Sequence, residues 1–160
     1  MIQFGRRILK ATVGGDRVSG SPAPHGRVLL VALTPESRAA LGAPEREITS
    51  FPYRVGRESR GIQPTPHGFV RERRNPGSHP SNDLYLVEGA EPLNVSREHF
   101  EIDREGAGYI LVDRASTCGT LVEGGLVGGD TRGGRRSLHD GDVIIVGSSR
   151  SPYAFKFRVG

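Results

Sequence analysis

The chain contains a single cysteine, Cys118, and no tryptophan among its 160 residues. One cysteine cannot form a disulfide within the chain, so we expect a reducing compartment and a cytoplasmic location. Long apolar runs are also missing. The longest, from Val28 to Leu33, is far shorter than the roughly 20 residues that a membrane-spanning helix needs. We therefore expect no membrane partner.

Lysine is almost absent as well, since Lys10 and Lys156 are the only two among 22 basic residues. Arginine presents a planar fork that binds phosphate or carboxylate through two parallel hydrogen bonds, although a GC-rich genome also produces such a composition. The arginines at 71–74 and 132–136 lack the interleaved aromatic residues of nucleic-acid-binding surfaces. Nucleic-acid binding is accordingly disfavoured, despite a net charge of +4.

Glycine and proline are plentiful, with 23 and 11 residues, and hydrophobic residues make up 35% of the chain. This balance favours many short strands and tight turns over a helical bundle. From Leu84 onward, short extended patterns recur between turn residues. The rhythm predicts one all-β domain, an antiparallel β-sandwich.

Three segments receive separate predictions. Residues 1–26 are expected to be a flexible tail or a weak first strand, and residues 27–160 the domain, with a Pro/Arg-rich loop insertion at 60–82. The continuous apolar run within 27–34 predicts a strand that is buried on both faces. Thr34, Pro35 and Gly42 supply the cap, the first position and the stop of a short helix.

Four short motifs follow one another along the chain. They are Gly56-Arg57, Ser96-Arg97-Glu98-His99, Ser116-Thr117-Cys118-Gly119-Thr120 and Leu138-His139-Asp140-Gly141-Asp142-Val143-Ile144. In this order and at these spacings, they resemble the forkhead-associated (FHA) domain family. That family is a β-sandwich that recognises phosphothreonine in partner proteins, and the resemblance covers about Arg27 to Val159. It implies a two-sheet antiparallel β-sandwich of about eleven strands.

The resemblance implies which residues contact a ligand. A phosphate monoester is nearly dianionic and has three strong acceptor oxygens, so its site needs a fixed cation and several donors. By their positions in the motifs, Arg57, Ser96 and Thr117 are the expected phosphate contacts. Arg97 is expected to contact the backbone or an acidic side chain of the peptide.

The resemblance also implies structural roles and one departure. Gly56 is expected to let the backbone turn so that Arg57 faces the site, and His99 and Gly119 are expected to hold the loop frame. Cys118 stands where the family usually has an asparagine that hydrogen-bonds to the bound peptide. A thiol is a weaker donor and acceptor, so Cys118 is a phosphopeptide contact that is expected to weaken or alter binding.

Enzymatic interpretations find little support in the residues. The run Gly128–Gly134 is followed by Arg135-Arg136-Ser137 instead of Gly-Lys-Ser/Thr, so we expect a flexible strand connection there and not a phosphate cradle. A nucleophile pair of Cys118 and His99 lacks an orienting third group. We therefore expect no enzymatic activity, no cofactor and no metal.

The expected partners follow from the resemblance. They are a phosphothreonine-containing protein and a Ser/Thr protein kinase upstream of it, with the chain itself a monomer. The alternative is an FHA-like sandwich that acts as a phosphate-independent protein-assembly module, and Cys118 is the residue that favours it.

Overall fold

A computed structural model describes residues 26–58, 62–65, 68–71, 82–89 and 92–160. It has one short helix, α1 (Pro35–Leu41), among its strands. The strands are β1 (Val28–Ala32), β2 (Glu45–Glu47), β3 (Tyr53–Arg57), β4 (Ile62–Thr65), β5 (Gly68–Arg71), β6 (Leu84–Leu86), β7 (Phe100–Glu105), β8 (Gly108–Asp113), β9 (Thr120–Val122), β10 (Gly125–Val127), β11 (Gly134–Leu138), β12 (Val143–Val146) and β13 (Ala154–Val159).

Eleven of these strands form two sheets, as the sequence predicts. One sheet has six strands in the order β10-β9-β12-β13-β1-β2, and the other has five in the order β11-β8-β7-β3-β6. Neighbouring strands are antiparallel except β3 and β6, which pair in parallel. The predicted all-β sandwich is therefore confirmed.

The core lies between the two sheets and follows from alternation along the strands. Phe155 and Phe157 of β13 and Phe100 of β7 are fully buried, because every second residue of a strand faces the same side. Burial of a large side chain contributes about 1.5–3 kcal/mol, so these rings account for much of the stability of the sandwich.

Strand β1 differs from its prediction on one face. Val28 and Leu30 are buried in the core, but Leu29 and Val31 point to the opposite side and are only half-buried. A continuous apolar run is typical of a strand covered on both sides. Here the described residues cover one side only.

The short helix has the boundaries that its sequence predicts. The Thr34 hydroxyl accepts a hydrogen bond from the Ser37 backbone N–H, and Gly42 ends the helix with a left-handed φ of 70°. The buried Leu41 side chain anchors the helix to the core.

The segment predicted as a long loop at 60–82 contains a hairpin. Strands β4 and β5 pair antiparallel from Ile62 opposite Arg71 to Thr65 opposite Gly68. Proline is disfavoured in strands because it has no backbone N–H to donate. Pro64 lies in a ladder of only two strands, and the outer edge of such a ladder needs no donor. The predicted tail before Gly26 lies outside the described residues.

None of the helices in the described part of the chain is both long and apolar enough to cross a membrane.

Candidate ligand-binding site

Arg57 lies at the end of β3, where two other loops meet it. Its backbone N–H donates to the Ser96 carbonyl over 2.9 Å, which fixes the strand end against the loop before β7. The side chain is half-buried, and its Nε is buried with no hydrogen-bond partner among the described residues. Since a buried guanidinium donor is costly to leave unpaired, this arginine is ready to receive an acceptor.

His99 holds the loop that carries Ser96. The Ser96 N–H donates to His99 Nδ1 over 2.9 Å, so Nδ1 carries no proton. The proton of the neutral ring is therefore on Nε2, which donates to the Gly119 carbonyl over 2.7 Å. Burial lowers the pKa of His99, and the bond to Gly119 opposes that shift only in part. The ring thus joins two loops from a fully buried position.

Thr117 lies beside Ser96 at the tip of the second loop. Its backbone N–H donates to the Ser96 hydroxyl oxygen over 3.0 Å, and its side chain is exposed. The Ser96 hydroxyl accepts this bond and keeps its own proton to donate. The structure therefore brings Arg57, Ser96 and Thr117 together at one end of the sandwich.

Asp113 supports the Thr117 loop from below and was not predicted from the sequence. Its buried carboxylate accepts hydrogen bonds from the Ser116 N–H over 2.9 Å, the Ser116 hydroxyl over 2.7 Å and the Thr120 hydroxyl over 3.1 Å. The Ser116 hydroxyl in turn accepts from the Gly119 N–H over 2.9 Å. The signal for it was present, because aspartate followed three residues later by serine is typical of a side-chain-stabilised turn.

A second supporting group holds the loop that carries Arg97. The buried Asn82 amide donates to the Arg97 carbonyl over 2.8 Å and accepts from Arg114 Nη1 over 2.9 Å. Arg114 Nη2 also donates to the Glu98 carboxylate over 3.0 Å. Sequence reasoning missed Asn82 and Arg114, because they are far apart in the chain and belong to no motif.

Gly56 is needed for a reason other than the one predicted. It does not have a left-handed φ; instead, a Cβ at this position would lie 2.0 Å from the Arg97 carbonyl oxygen and 2.7 Å from the Asn82 amide nitrogen. The close approach of the Arg97 loop to β3 therefore excludes any side chain here. Gly119, by contrast, does have a left-handed φ of 76°.

Arg97 and Cys118 occupy the rim of the site. The Arg97 side chain is exposed and makes no ion pair with the described residues. Cys118 is half-buried, and its thiol contacts the Leu93 carbonyl oxygen at 3.6 Å. The thiol thus faces the loop before Ser96, at the edge of the candidate site.

The glycine-rich connection between β10 and β11 is hydrogen-bonded to the Thr117 loop. The Asp130 N–H donates to the Thr117 carbonyl over 2.8 Å, and the Thr131 N–H donates to the Ser116 carbonyl over 3.1 Å. Asp130 and Thr131 both have positive φ, as the closely spaced turn requires. The prediction of a flexible strand connection therefore misses its contacts with the Thr117 loop.

In the described part of the chain, no group of three or more His, Cys, Asp or Glu residues is arranged to hold a metal ion.

The family model of the FHA domain matches residues 74–147. The resemblance to FHA domains that the motifs predict is confirmed over these residues. The match includes Ser96, His99 and Thr117. It begins after Gly56 and Arg57, so the placement of these two residues beside the others follows from the fold of the chain and not from the family match. None of the curated proteins matches the chain.

Solved FHA structures share this fold at low sequence identity. The FHA domain of an Arabidopsis thaliana hypothetical protein has a TM-score of 0.54 and 20% identity, over 84% of this chain and 86% of that one. The N-terminal FHA domain of Rad53p from S. cerevisiae also has a TM-score of 0.54, with 18% identity, over 84% and 94%. Mycobacterium tuberculosis EmbR matches with a TM-score of 0.52 and 19% identity over 84% of this chain. This chain spans only 25% of EmbR.

The first prediction concerns Gly56. Gly56→Ala places a methyl group against the Arg97 carbonyl and the Asn82 amide, so β3 and the loop must separate. We expect a loss of about 2–4 kcal/mol in the free energy of unfolding, measured by urea denaturation. Gly89→Ala is the control, because a Cβ there meets nothing within 4 Å. Equal stability of the two variants would contradict the close approach described above.

The second prediction concerns His99 and pH. Because the pKa of His99 is lowered on folding, the unfolded chain binds more protons below its ordinary value of 6.5. We expect the free energy of unfolding to fall as the pH drops from about 6.5 toward the lowered pKa, and His99→Ala to remove that part of the pH dependence.

The same variant should lower the melting temperature by about 4–8 °C or more at neutral pH and weaken ligand binding with it. His139→Ala is the control, because His139 is exposed and far from these loops. An unchanged melting temperature together with lost binding would place His99 in the ligand site instead.

Proposed function

We propose that the chain is a non-catalytic module that binds a phosphothreonine-containing segment of a partner protein, downstream of a Ser/Thr protein kinase. The carrying observation is the half-buried Arg57 guanidinium, whose buried Nε has no partner among the described residues, beside the Ser96 hydroxyl and the exposed Thr117. We assign the module to residues 27–160, and the hairpin β4–β5 to an insertion within it.

The charges around the site support an anionic ligand. Arg57 and Arg97 make no ion pair with described residues, whereas Arg114 is bonded to Glu98 and Asn82. The first two arginines are thus the cations that can neutralise a phosphate, and Arg114 is a supporting residue. A charge-assisted bond to a phosphate oxygen is about twice as strong as a neutral one.

Two of the similar structures support the nature of the ligand. The Rad53p domain was solved in complex with a phosphothreonine peptide, and EmbR in complex with a low-affinity phosphopeptide. Both share the sandwich fold of this chain, with TM-scores of 0.54 and 0.52. We infer that this chain uses the same end of its fold.

The contacts of His99 argue against catalysis at this site. Both ring nitrogens are engaged, one by the Ser96 N–H and one by the Gly119 carbonyl, so neither is available as a general base. The thiol of Cys118 contacts the Leu93 carbonyl. A binding role, unlike catalysis, does not require His99 or Cys118 to give up these contacts.

The second candidate function is phosphate-independent protein assembly. Cys118 favours it, because a thiol directed at the Leu93 carbonyl cannot replace an amide that hydrogen-bonds to a peptide backbone. The same titration separates the two functions, since an assembly partner would bind its unphosphorylated form equally well.

The third prediction tests Arg57. A phosphothreonine peptide should bind at least tenfold more tightly than its unphosphorylated form, measured by calorimetry or fluorescence anisotropy. Arg57→Ala should weaken phosphopeptide binding by about 1.5–3 kcal/mol, or roughly tenfold to a hundredfold. Arg135→Ala is the matched control, because it removes the same charge from a surface ion pair with Glu105. If Arg57→Ala stayed within twofold of the parent, the assignment would be wrong.

The fourth prediction concerns the methyl group of the phosphorylated residue. We expect phosphothreonine to bind more tightly than phosphoserine, because burial of one carbon contributes about 0.8 kcal/mol and up to about 3 kcal/mol in a shaped pocket. The measurement is a pair of titrations with peptides that differ in that methyl alone. Equal affinities would show that the site does not enclose it.

The fifth prediction concerns Cys118. Cys118→Asn should tighten phosphopeptide binding by about 0.5–1.5 kcal/mol, because an amide restores a hydrogen bond to the peptide. Bound phosphopeptide should also slow alkylation of the half-buried thiol in the parent. A thiol that reacts at the same rate with and without peptide, together with no gain from Cys118→Asn, would remove Cys118 from the peptide-binding surface.

A further inference from the structure

The outer face of the six-stranded sheet, opposite the core, carries a continuous row of apolar side chains. Strand register places in this row one residue from each of four neighbouring strands and the residue that follows β1, and we call it the apolar row. In order across the sheet, its members are Leu126, Leu121, Ile145, Ala154 and Leu33. At about 4.8 Å between strands, the row is roughly 19 Å long.

The apolar row is open to solvent. Leu126 is 64% exposed and Leu33 is 45% exposed, and the three residues between them are half-buried. These two residues form the ends of the row. The described residues include only three exposed large hydrophobic side chains, and Leu126 and Leu33 are two of them. A contiguous apolar surface of this kind on a folded domain marks an interaction site.

A second row runs beside it, and its charges are arranged symmetrically about β12. Val143 lies in register with Lys156 on one side, and the Glu123 N–H donates to the Val143 carbonyl on the other. One oxygen of the Glu123 carboxylate also accepts from the Val143 N–H over 2.6 Å, which holds the carboxylate beside β12. Neither Glu123 nor Lys156 makes an ion pair with the described residues. Across the sheet, the second row therefore runs from the Glu123 carboxylate through Val143 to the Lys156 ammonium group.

We propose that two copies of this chain associate through these faces, across a twofold axis that runs along β12. Such an axis reverses the order of the strands between the two copies. It places Leu126 of one copy over Leu33 of the other and Leu121 over Ala154. Ile145 then packs against Ile145 of the second copy, so the whole apolar row is covered.

The charges in the second row fit the same axis. Reversal about β12 places Lys156 of each copy over Glu123 of the other, and Val143 over its own equivalent. Each opposite-charge pair occurs twice by symmetry, as an isologous interface requires. Complementary charges at the rim of an apolar surface fix the register of the two partners.

A twofold axis perpendicular to the strands does not pair the charges. Along the second row, it would place the apolar row over the third row of the same face, which contains Arg158, Leu29 and Glu47. Leucine and isoleucine side chains would then bury the ion pairs of Arg158 with Asp140 and of Glu47 with Arg27, which is costly. Along the apolar row itself, the axis would place each apolar residue over its own equivalent but would leave the charges of the two copies on opposite sides of that row. The axis parallel to the strands covers the apolar row and pairs the charges at the same time.

The dimer also accounts for part of the outer face of strand β1. The continuous apolar sequence of β1 is typical of a strand covered on both faces, whereas Leu29 and Val31 are only half-buried in a single copy. Val31 lies in register with Lys156 in the second row, so a second copy packed at about 10 Å, the usual distance between two sheets, lies over it. Leu29 lies in the third row, beyond the β9–β10 turn of the second copy. The proposed dimer differs from the monomer that the sequence predicts.

The test measures the mass of the whole chain in solution by sedimentation velocity, from micromolar concentrations up to about 1 mM. We expect a concentration-dependent dimer. Ile145→Lys should weaken it at least tenfold, because it opposes two ammonium groups on the axis. Val87→Lys is the matched control: Val87 is 52% exposed but lies after β6 in the other sheet. A monomer at every concentration, or a dimer that persists in Ile145→Lys, would overturn the proposal.

Charge reversal tests the position of the axis and does not depend on Ile145→Lys being folded. Lys156→Glu and Glu123→Lys should each weaken the dimer several-fold, and the double variant should restore it, because both pairs are then reversed. Thermal melts of all variants check that the fold is retained, above all for Glu123→Lys, which removes the acceptor of the Val143 N–H. If both single variants weaken the dimer and the double variant does not restore it, the axis along β12 is wrong.

Discussion

A buried imidazole connects the two loops on which the candidate site depends. The His99 ring accepts from the Ser96 N–H and donates to the Gly119 carbonyl, and the His99 backbone N–H donates to the Val55 carbonyl of β3. The ring thereby joins the Ser96 loop to the Thr117 loop, and the backbone of the same residue joins both to β3. Because the ring is excluded from water, it stays neutral, and neutrality gives it one donor and one acceptor. A charged ring would have two donors and could not accept from Ser96.

The architecture and the frame of the site could be predicted from the sequence because they depend on local patterns. Alternating apolar residues predict the sandwich, and Thr34, Pro35 and Gly42 predict the helix with its ends. The sequence motif predicts a special role for Gly56, but the close contact that excludes a side chain there is with the Arg97 carbonyl, 41 residues further along the chain. Contacts of that range leave no periodic signal.

The missed residues share the same physical cause. Asn82 and Arg114 act through hydrogen bonds between segments that only the fold brings together, and neither contributes a pattern of its own. The hairpin β4–β5 was missed because proline argues against strands, although an isolated pair tolerates it. Strand β1 was predicted to be buried on both faces, and the second face is the one on which we place another copy.

The network beneath the site determines how a ligand would bind. Asp113, His99 and Asn82 tie the loops to the sandwich through buried bonds before any ligand arrives. The loops therefore lose their conformational entropy when the domain folds and not when a ligand binds. Encounter with a partner is then limited by diffusion and orientation, and the lifetime of the complex depends on the contacts alone. With the proposed phosphopeptide ligand, such a site would respond as quickly as the partner is phosphorylated or dephosphorylated.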